Sequence, residues 1–326
     1  MISLKNIVAL KSKNKLPCYQ KIILERIIIL SLSRQKKFSS KELINHLENK
    51  GVTFEKCSKG QAINFIEKNN LYYKVAAFRK NFKKKDDKYQ NLDFEHLKDL
   101  ASLDFQIRQL LLKISINVEH FIKTELARQI NNNPKENGYD IVLEFKKSYP
   151  QSYYKTRKYF KKSRYQNDMF IKRKDTTPYW VLLEHMDYGS LMDFLQMYYE
   201  KYEPKSLKKA YLLGNNARFI RNACAHNSIL LLNVFKDDNK LENVNALVTT
   251  LASQTNLLKY KNYAKVNDLL SLFALSKTYC SPAVYKYQKQ DIDYFITRCQ
   301  RHKEYYLKNP FLTKMFIIFQ KIVDIL

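Results

Sequence analysis

Glycine is the feature that most narrows the fold of this chain: only 5 Gly occur among 326 residues, with 7 Pro. All-β folds need many tight turns, and those turns lean on Gly for backbone angles that other residues resist. A sandwich or barrel is therefore excluded in favour of long helices joined by Asn- and Lys-rich loops. The same scarcity removes glycine-rich phosphate loops, and no GxGxxG or Walker-type segment is present. With 45% hydrophobic residues the chain can bury a substantial core.

Hydrophobic periodicity fills in the helices. Segment 18–33 reads as a buried helix. Ser39-Ser40-Lys41-Glu42 forms a capping signal for a helix to about Asn49, stopped by Gly51, and a further helix covers 58–69. The second of these has no basic face, which counts against a DNA-reading helix-turn-helix over 36–70. From Leu92 to Ile130 the period is clear, with Leu103, Ile107, Leu110, Ile114, Val118 and Phe121 drawing one apolar stripe. Thr176-Thr177-Pro178 opens a helix through His185, Gly189-Ser190 begins another, and the pattern from 205 continues to about Phe235. The remainder, 242–326, reads as three more helices. Trp180, the single Trp, is expected in the core.

The five cysteines (Cys18, Cys57, Cys224, Cys280, Cys299) form no CxxC pair, so the expectation is neither a disulfide framework nor a zinc cluster, but a reducing interior. Glu25 and Arg26 interrupt the first apolar run, which argues against a signal peptide, and no stretch is long and apolar enough for a membrane span. A cytoplasmic protein without cofactor or metal is expected.

The net charge is +27, and residues 1–174 hold +21 of it. The steepest segment, 145–174, carries eleven Lys/Arg, one acid (Asp168) and eight Tyr or Phe. Cations that track phosphates, interleaved with rings that stack on unpaired bases, suit single-stranded nucleic acid. Lys155, Arg157, Lys158, Lys161, Lys162 and Arg164 are the expected contacts here, with Arg79 and Lys80 from the second basic run, Arg79–Lys88. A genome favouring Lys codons would also enrich lysine, but it would raise Asp and Glu with it. An acidic polymer is the first expectation for a partner, a membrane-surface helix the second.

The string Arg218-Phe219-Ile220-Arg221-Asn222-Ala223-Cys224-Ala225-His226-Asn227 concentrates catalytic side-chain types. Asn222 and His226 share a helix face, as do Arg218 and Asn222. Arg221 and His226 stand about 140° apart on an ideal helix. They converge only if the helix bends or if each faces a second copy. Two readings stand at this point: a nucleolytic site, or a helix end where His226 caps a carbonyl and Arg221 pairs with a carboxylate.

The surroundings of this string resemble a known family. RNACAH, preceded by Pro178-Tyr179-Trp180, Glu184 and Gly189, is similar to the Abi-like (abortive infection) proteins of the HEPN superfamily. Leu71–Phe82 (LYYKVAAFRKNF) resembles the family's N-terminal Tyr-Tyr motif, and Tyr89–Leu126 its Asp-x3-Arg (Asp104, Arg108) and Glu-His-x2-Lys (Glu119, His120, Lys123) helix. One departure is Ile229-Leu230-Leu231-Leu232, where many members carry a basic residue and Trp.

The resemblance implies an all-α, HEPN-type helical bundle with additional N-terminal and C-terminal helices. In domain terms it divides the chain into an N-terminal helical region (1–90), a HEPN-like core with a basic insertion at 145–174 (91–240) and a C-terminal helical region (241–326). It implies a homodimer whose Arg-x4–6-His motifs form a metal-independent endoribonuclease site, a defence or toxin role, and an association with a small noncoding RNA in some relatives. The type VI CRISPR nucleases look like distant kin. On this reading His226 moves the 2′-OH or 5′-oxygen proton, because imidazole titrates near neutrality. Arg221 offers a planar fork to the phosphate, Asn222 orients, and Arg218 adds charge at the rim. RNA is cut and DNA is not, since the 2′-OH is the nucleophile. Glu119, Lys123 and Glu184 are supporting candidates. Asp104–Arg108 reads as a structural i,i+4 pair. The alternative is a non-catalytic RNA-binding protein.

Overall fold

The long apolar stripe becomes the axis of the structure. This is a computed structural model that describes residues 37–69 and 71–324; the helix expected at 18–33 lies outside the described residues. The chain divides into two units, Met1–His46 and Leu47–Leu326. In the first, Ser39 and Glu42 cap each other reciprocally at the start of α1 (Ser40–Asn49).

In the second unit, α2 (Lys59–Lys68) opens on a Ser58/Gln61 capping box. It is followed by α3 (Tyr72–Ala77), a 3-10 turn Phe78–Asn81 and a two-residue hairpin, β1 (Lys84–Lys85) with β2 (Lys88–Tyr89). Gly51 adopts φ +87° against the β2 backbone, where a Cβ would stand 2.8 Å from the Tyr89 carbonyl oxygen, so no other residue fits that turn.

The 38-residue α4 (Phe94–Asn131) runs about 57 Å at 1.5 Å per residue. Asp93 caps its start, and it buries Leu103, Ile107, Leu110, Ile114 and Val118 as the stripe requires. Beyond Val118 the stripe passes through Ile122 rather than Phe121, which is only half-buried, because a straight helix drifts off a strict repeat.

The basic segment is helical: α5 (Asp140–Ser148), α6 (Pro150–Lys162) and α7 (Asn167–Arg173). Next come α8 (Tyr179–His185) with Pro178 at its cap and α9 (Tyr188–Tyr202) capped by Asp187. Then α10 (Lys208–Ala225) packs between α4, α9 and the C-terminal helices. Its buried positions include the small Ala210, Gly214 and Ala217, so α9 approaches closely; a Cβ at Gly214 would overlap the Met192 sulfur.

Two sequence expectations are corrected. The helix does not continue to Phe235 but stops at Ala225, and the chain then turns through Asn227 at φ 55°. The C-terminal part holds four α-helices, not three: α11 (Ala246–Gln254), α12 (Ala264–Tyr279), α13 (Pro282–Gln300) and α14 (Pro310–Val323). Asn256 at positive φ, Ser281-Pro282 and Asn309-Pro310 supply the three breaks. Asp99 on α4 accepts from Arg298 and the Tyr306 hydroxyl, tying these helices to the axis. The described residues thus form fourteen α-helices with almost no strand. No described helix is long and apolar enough to cross a membrane.

One partly buried carboxyl works against stability. Asp268 on α12 has its pKa pushed up to about 7 by burial alone. A carboxyl that holds its proton more tightly when folded loses stability as pH climbs from the unfolded value, about 4, through the folded value. Asp268→Asn is therefore expected to raise the urea midpoint at pH 8 and to leave it nearly unchanged at pH 4. Equal midpoints at pH 8 would contradict the burial cost.

Candidate active site

The end of α10 carries the Arg221–His226 string and closes in a defined cap. His226 is the C-cap, and Asn227 takes the left-handed conformation that Asn tolerates. The Asn227 N–H donates to the Cys224 carbonyl (3.1 Å) and the Ser228 N–H to the Ala223 carbonyl (2.8 Å), a Schellman motif. The His226 imidazole is exposed, and among the described residues it makes no hydrogen bond or ion pair. Its backbone N–H donates to the Asn222 carbonyl at 2.9 Å. Cys224 faces inward, and burial pushes its thiol up to about 12, so it offers no thiolate.

Arg221 points to α4. Its Nη1 donates to Asn222 Oδ1 at 3.1 Å, and its Nε lies 3.9 Å from Glu119 Oε2, too long for a hydrogen bond. Glu119 is shared: its Oε1 stands 3.2 Å from Lys123 Nζ, which donates to the Met186 carbonyl at 2.9 Å. Glu119 and Lys123 therefore hold one wall of the site, and the half-buried Arg221 is loosely tethered to it. The Tyr188 hydroxyl is buried in the same place, with its pKa raised by desolvation and by Glu119. Arg218 lies over its neighbour's ring, 5.3 Å from the Phe219 centroid, and against Gly189, where a Cβ would stand 3.3 Å from Nη1. Glu184 is exposed and, among the described residues, forms no hydrogen bond or ion pair with the string. In one chain α10 stays regular through Ala225, so Arg221 and His226 keep to different sides of it.

The turn after His226 is gripped from several elements. The Asp104–Arg108 pair on α4 is buried, with Arg108 Nε 3.0 Å from Asp104 Oδ2. Arg108 Nη1 donates to Asn227 Oδ1 (2.7 Å), and Asp104 Oδ1 accepts the Leu230 and Leu231 N–H groups (2.7 and 2.8 Å). Lys74 on α3 donates to the Asn227 carbonyl and Asn81 to that of Leu231. Lys265 on α12 donates to the Leu230 and Leu232 carbonyls at 2.9 and 2.6 Å, and more weakly to Ile229 at 3.4 Å. Lys74, Asn81, Asn227 and Lys265 are the residues that sequence reasoning missed. Asn after a helix end is a readable signal, whereas Lys265 arrives from another helix and leaves none.

The basic helices divide their cations. Lys155 pairs with Asp187, the cap of α9. Arg157 donates to the Thr177 hydroxyl and the Lys174 carbonyl and covers the Phe170 ring, so it braces the turn before α8. Lys158, Lys161, Lys162 and Arg164 are exposed, together with Tyr154, Tyr159 and Tyr165. Phe145 and Phe160 are core instead. Arg79 donates to the Ala76 carbonyl, and Lys80 is exposed beside it. Trp180, expected inside, is 49% exposed, with Tyr139 and Tyr179 set against it edge-on. Gly138, at φ +83°, explains this: a Cβ there would stand 3.0 Å from the indole, so the ring lies across bare backbone at the surface.

Comparison with curated proteins and with solved structures finds no match. A family model described as Abi-like protein matches residues 64–231. That span covers slightly more than half of the 326 residues, begins in α2 and ends at Leu231, where the grip of Asp104 and Asn81 ends. By that match the chain belongs to the Abi-like protein family.

Proposed function

We propose that this protein is a phage-defence (abortive infection) effector of HEPN type, a metal-independent endoribonuclease acting in the bacterial cytoplasm. The observation that carries the reading is the end of α10: an exposed imidazole, unpaired among the described residues, and a loosely tethered guanidinium, on a helix terminus fixed by side chains from three other elements. A rigid support with free reacting groups is what general acid–base catalysis needs. Two copies related by a twofold axis would bring Arg221 and His226 together, one histidine taking the 2′-OH proton and the other protonating the 5′-oxygen. The products would be a 2′,3′-cyclic phosphate and a 5′-OH. Arg221 would stabilise charge on the phosphate, and Asn222, already bonded to Arg221, would orient it. A small structured noncoding RNA is the expected cognate partner.

The exposed cations of α6 and the loop after it would lead RNA to this end. Lys155 joins α6 to Asp187, and Gly189, two residues on, lies against Arg218. Replacing Lys158, Lys161, Lys162 and Arg164 together with Ala is expected to flatten the dependence of log affinity on log salt by about 3, at roughly 0.7 per phosphate contact for single strands. An unchanged slope in fluorescence anisotropy would remove these residues from the RNA path.

A second reading is favoured by the placement of Arg221 and His226 on different sides of α10 in one chain: a non-catalytic protein that grips RNA phosphates. Incubating the purified full-length protein with single-stranded RNA in EDTA separates the two. Cleavage that stops when the scissile ribose is 2′-deoxy supports the nuclease; tight binding with no cleavage of any RNA supports the second reading.

A further inference from the structure

Behind α10 lies a cavity of about 230 Å³, between α10, the turn that follows it, and the helices α12, α13 and α14. Phe219, Ile220 and Ala223 of α10 form one wall, and Leu230 and Leu231 another. Its volume exceeds the ~150 Å³ of a cavity that admits benzene and approaches the ~300 Å³ at which drug-sized pockets begin.

Two ionisable side chains, Lys265 and Asp268, reach this otherwise apolar lining. The Lys265 ammonium is committed to the three carbonyls at 229, 230 and 232. Asp268, one turn along α12 and only partly exposed, forms no ion pair or hydrogen bond with it or with any other described residue. An uncompensated carboxylate among Leu, Ile and Phe side chains is costly, and few folds keep one without a use for it. The chemistry that offsets the cost is a cation with an apolar body. A metal ion does not fit, because hard cations need several oxygen ligands and this lining offers one carboxylate.

We propose that this cavity is a binding site for a small organic cation, its apolar body packed between Phe219, Ile220 and the C-terminal helices and its protonated amine bonded to Asp268. The assignment is independent of RNA cleavage. The ligand would touch α10 at Phe219, Ile220 and Ala223 and would touch the turn that Asp104 holds, so occupancy would stiffen the end of the helix.

The test is calorimetric titration of the full-length protein at pH 8 with 3-phenylpropylamine, its neutral counterpart 3-phenylpropan-1-ol, and the anion 4-phenylbutyrate. The amine is expected to bind at least tenfold tighter than the alcohol, and the anion not at all. Asp268→Asn should erase the preference for the amine while leaving the alcohol's affinity within about twofold, since Asn is isosteric and uncharged. The bound amine should also slow amide exchange over 219–231. Equal affinity for amine and alcohol, an amine preference that survives Asp268→Asn, or no binding of either compound to the wild-type protein would each overturn the proposal. None of these outcomes depends on whether RNA is cut.

Discussion

His226→Ala is expected to slow cleavage of single-stranded RNA about 10²–10⁴-fold in EDTA, with RNA affinity within a few-fold of wild type. The two halves of that expectation have separate physical sources. Cleavage requires a group that gains and loses a proton near neutral pH, and on the proposed reading that group is the exposed imidazole at the α10 C-cap. Affinity is a sum over phosphates, and on the proposed reading it depends on the cations of α6 and its following loop. Removing the ring leaves those cations in place. Nor does it disturb the fold, because the cap depends on the His226 backbone and on Asn227, not on the imidazole. Gel analysis of labelled RNA gives the rate, and anisotropy gives the affinity. Full activity in the variant would remove His226 from the chemistry. Arg221→Lys provides a partner measurement: it keeps the charge but loses the fork, so a rate near that of His226→Ala would assign Arg221 to the transition state rather than to binding.

The all-α character was legible because periodicity and capping agree. Ser39/Glu42, Ser58/Gln61 and Asp93 start helices where their side chains satisfy free N–H groups, and the Leu103–Val118 stripe continues as the core face of α4. The stop after Ala225 was missed because Ile229, Leu230 and Leu231 keep an apolar rhythm that resembles more helix. They lie instead in a turn folded against α4 and α12, where Leu231 is buried and the other two are half-buried. Trp180 illustrates a different limit: its exposure depends on a glycine forty-two positions earlier that leaves room for the ring at the surface. In the basic segment, composition could identify the cations but not how many of them the fold uses. Arg157 is committed to Thr177 and Lys174, while Lys158 is not, and only the packing of α6 on α8 separates them.

Asp104→Ala is expected to cost about 3–5 kcal/mol of stability, the range for breaking a buried ion pair by removing one partner. Asp104 does more than neutralise Arg108. One carboxylate oxygen receives Arg108 Nε, and the other accepts two backbone N–H groups, at Leu230 and Leu231, that no helix satisfies. A double variant distinguishes these roles. If Asp104 served only the ion pair, replacing both partners with apolar residues (Asp104→Leu with Arg108→Met) would recover most of the loss, as apolar replacement of buried pairs often does. Here the double variant is expected to remain at least about 2 kcal/mol below wild type, because one buried and one part-buried N–H group keep no acceptor and Asn227 loses Arg108. Urea unfolding of the four proteins closes the cycle, and recovery to within about 0.5 kcal/mol of wild type would reduce Asp104 to a simple charge partner. The same variants should slow RNA cleavage by more than their unfolded fraction accounts for. The helix terminus that presents His226 is held from the Asp104 side, so releasing that side frees the end proposed to act on RNA while the rest of α10 stays packed against α9 and α12.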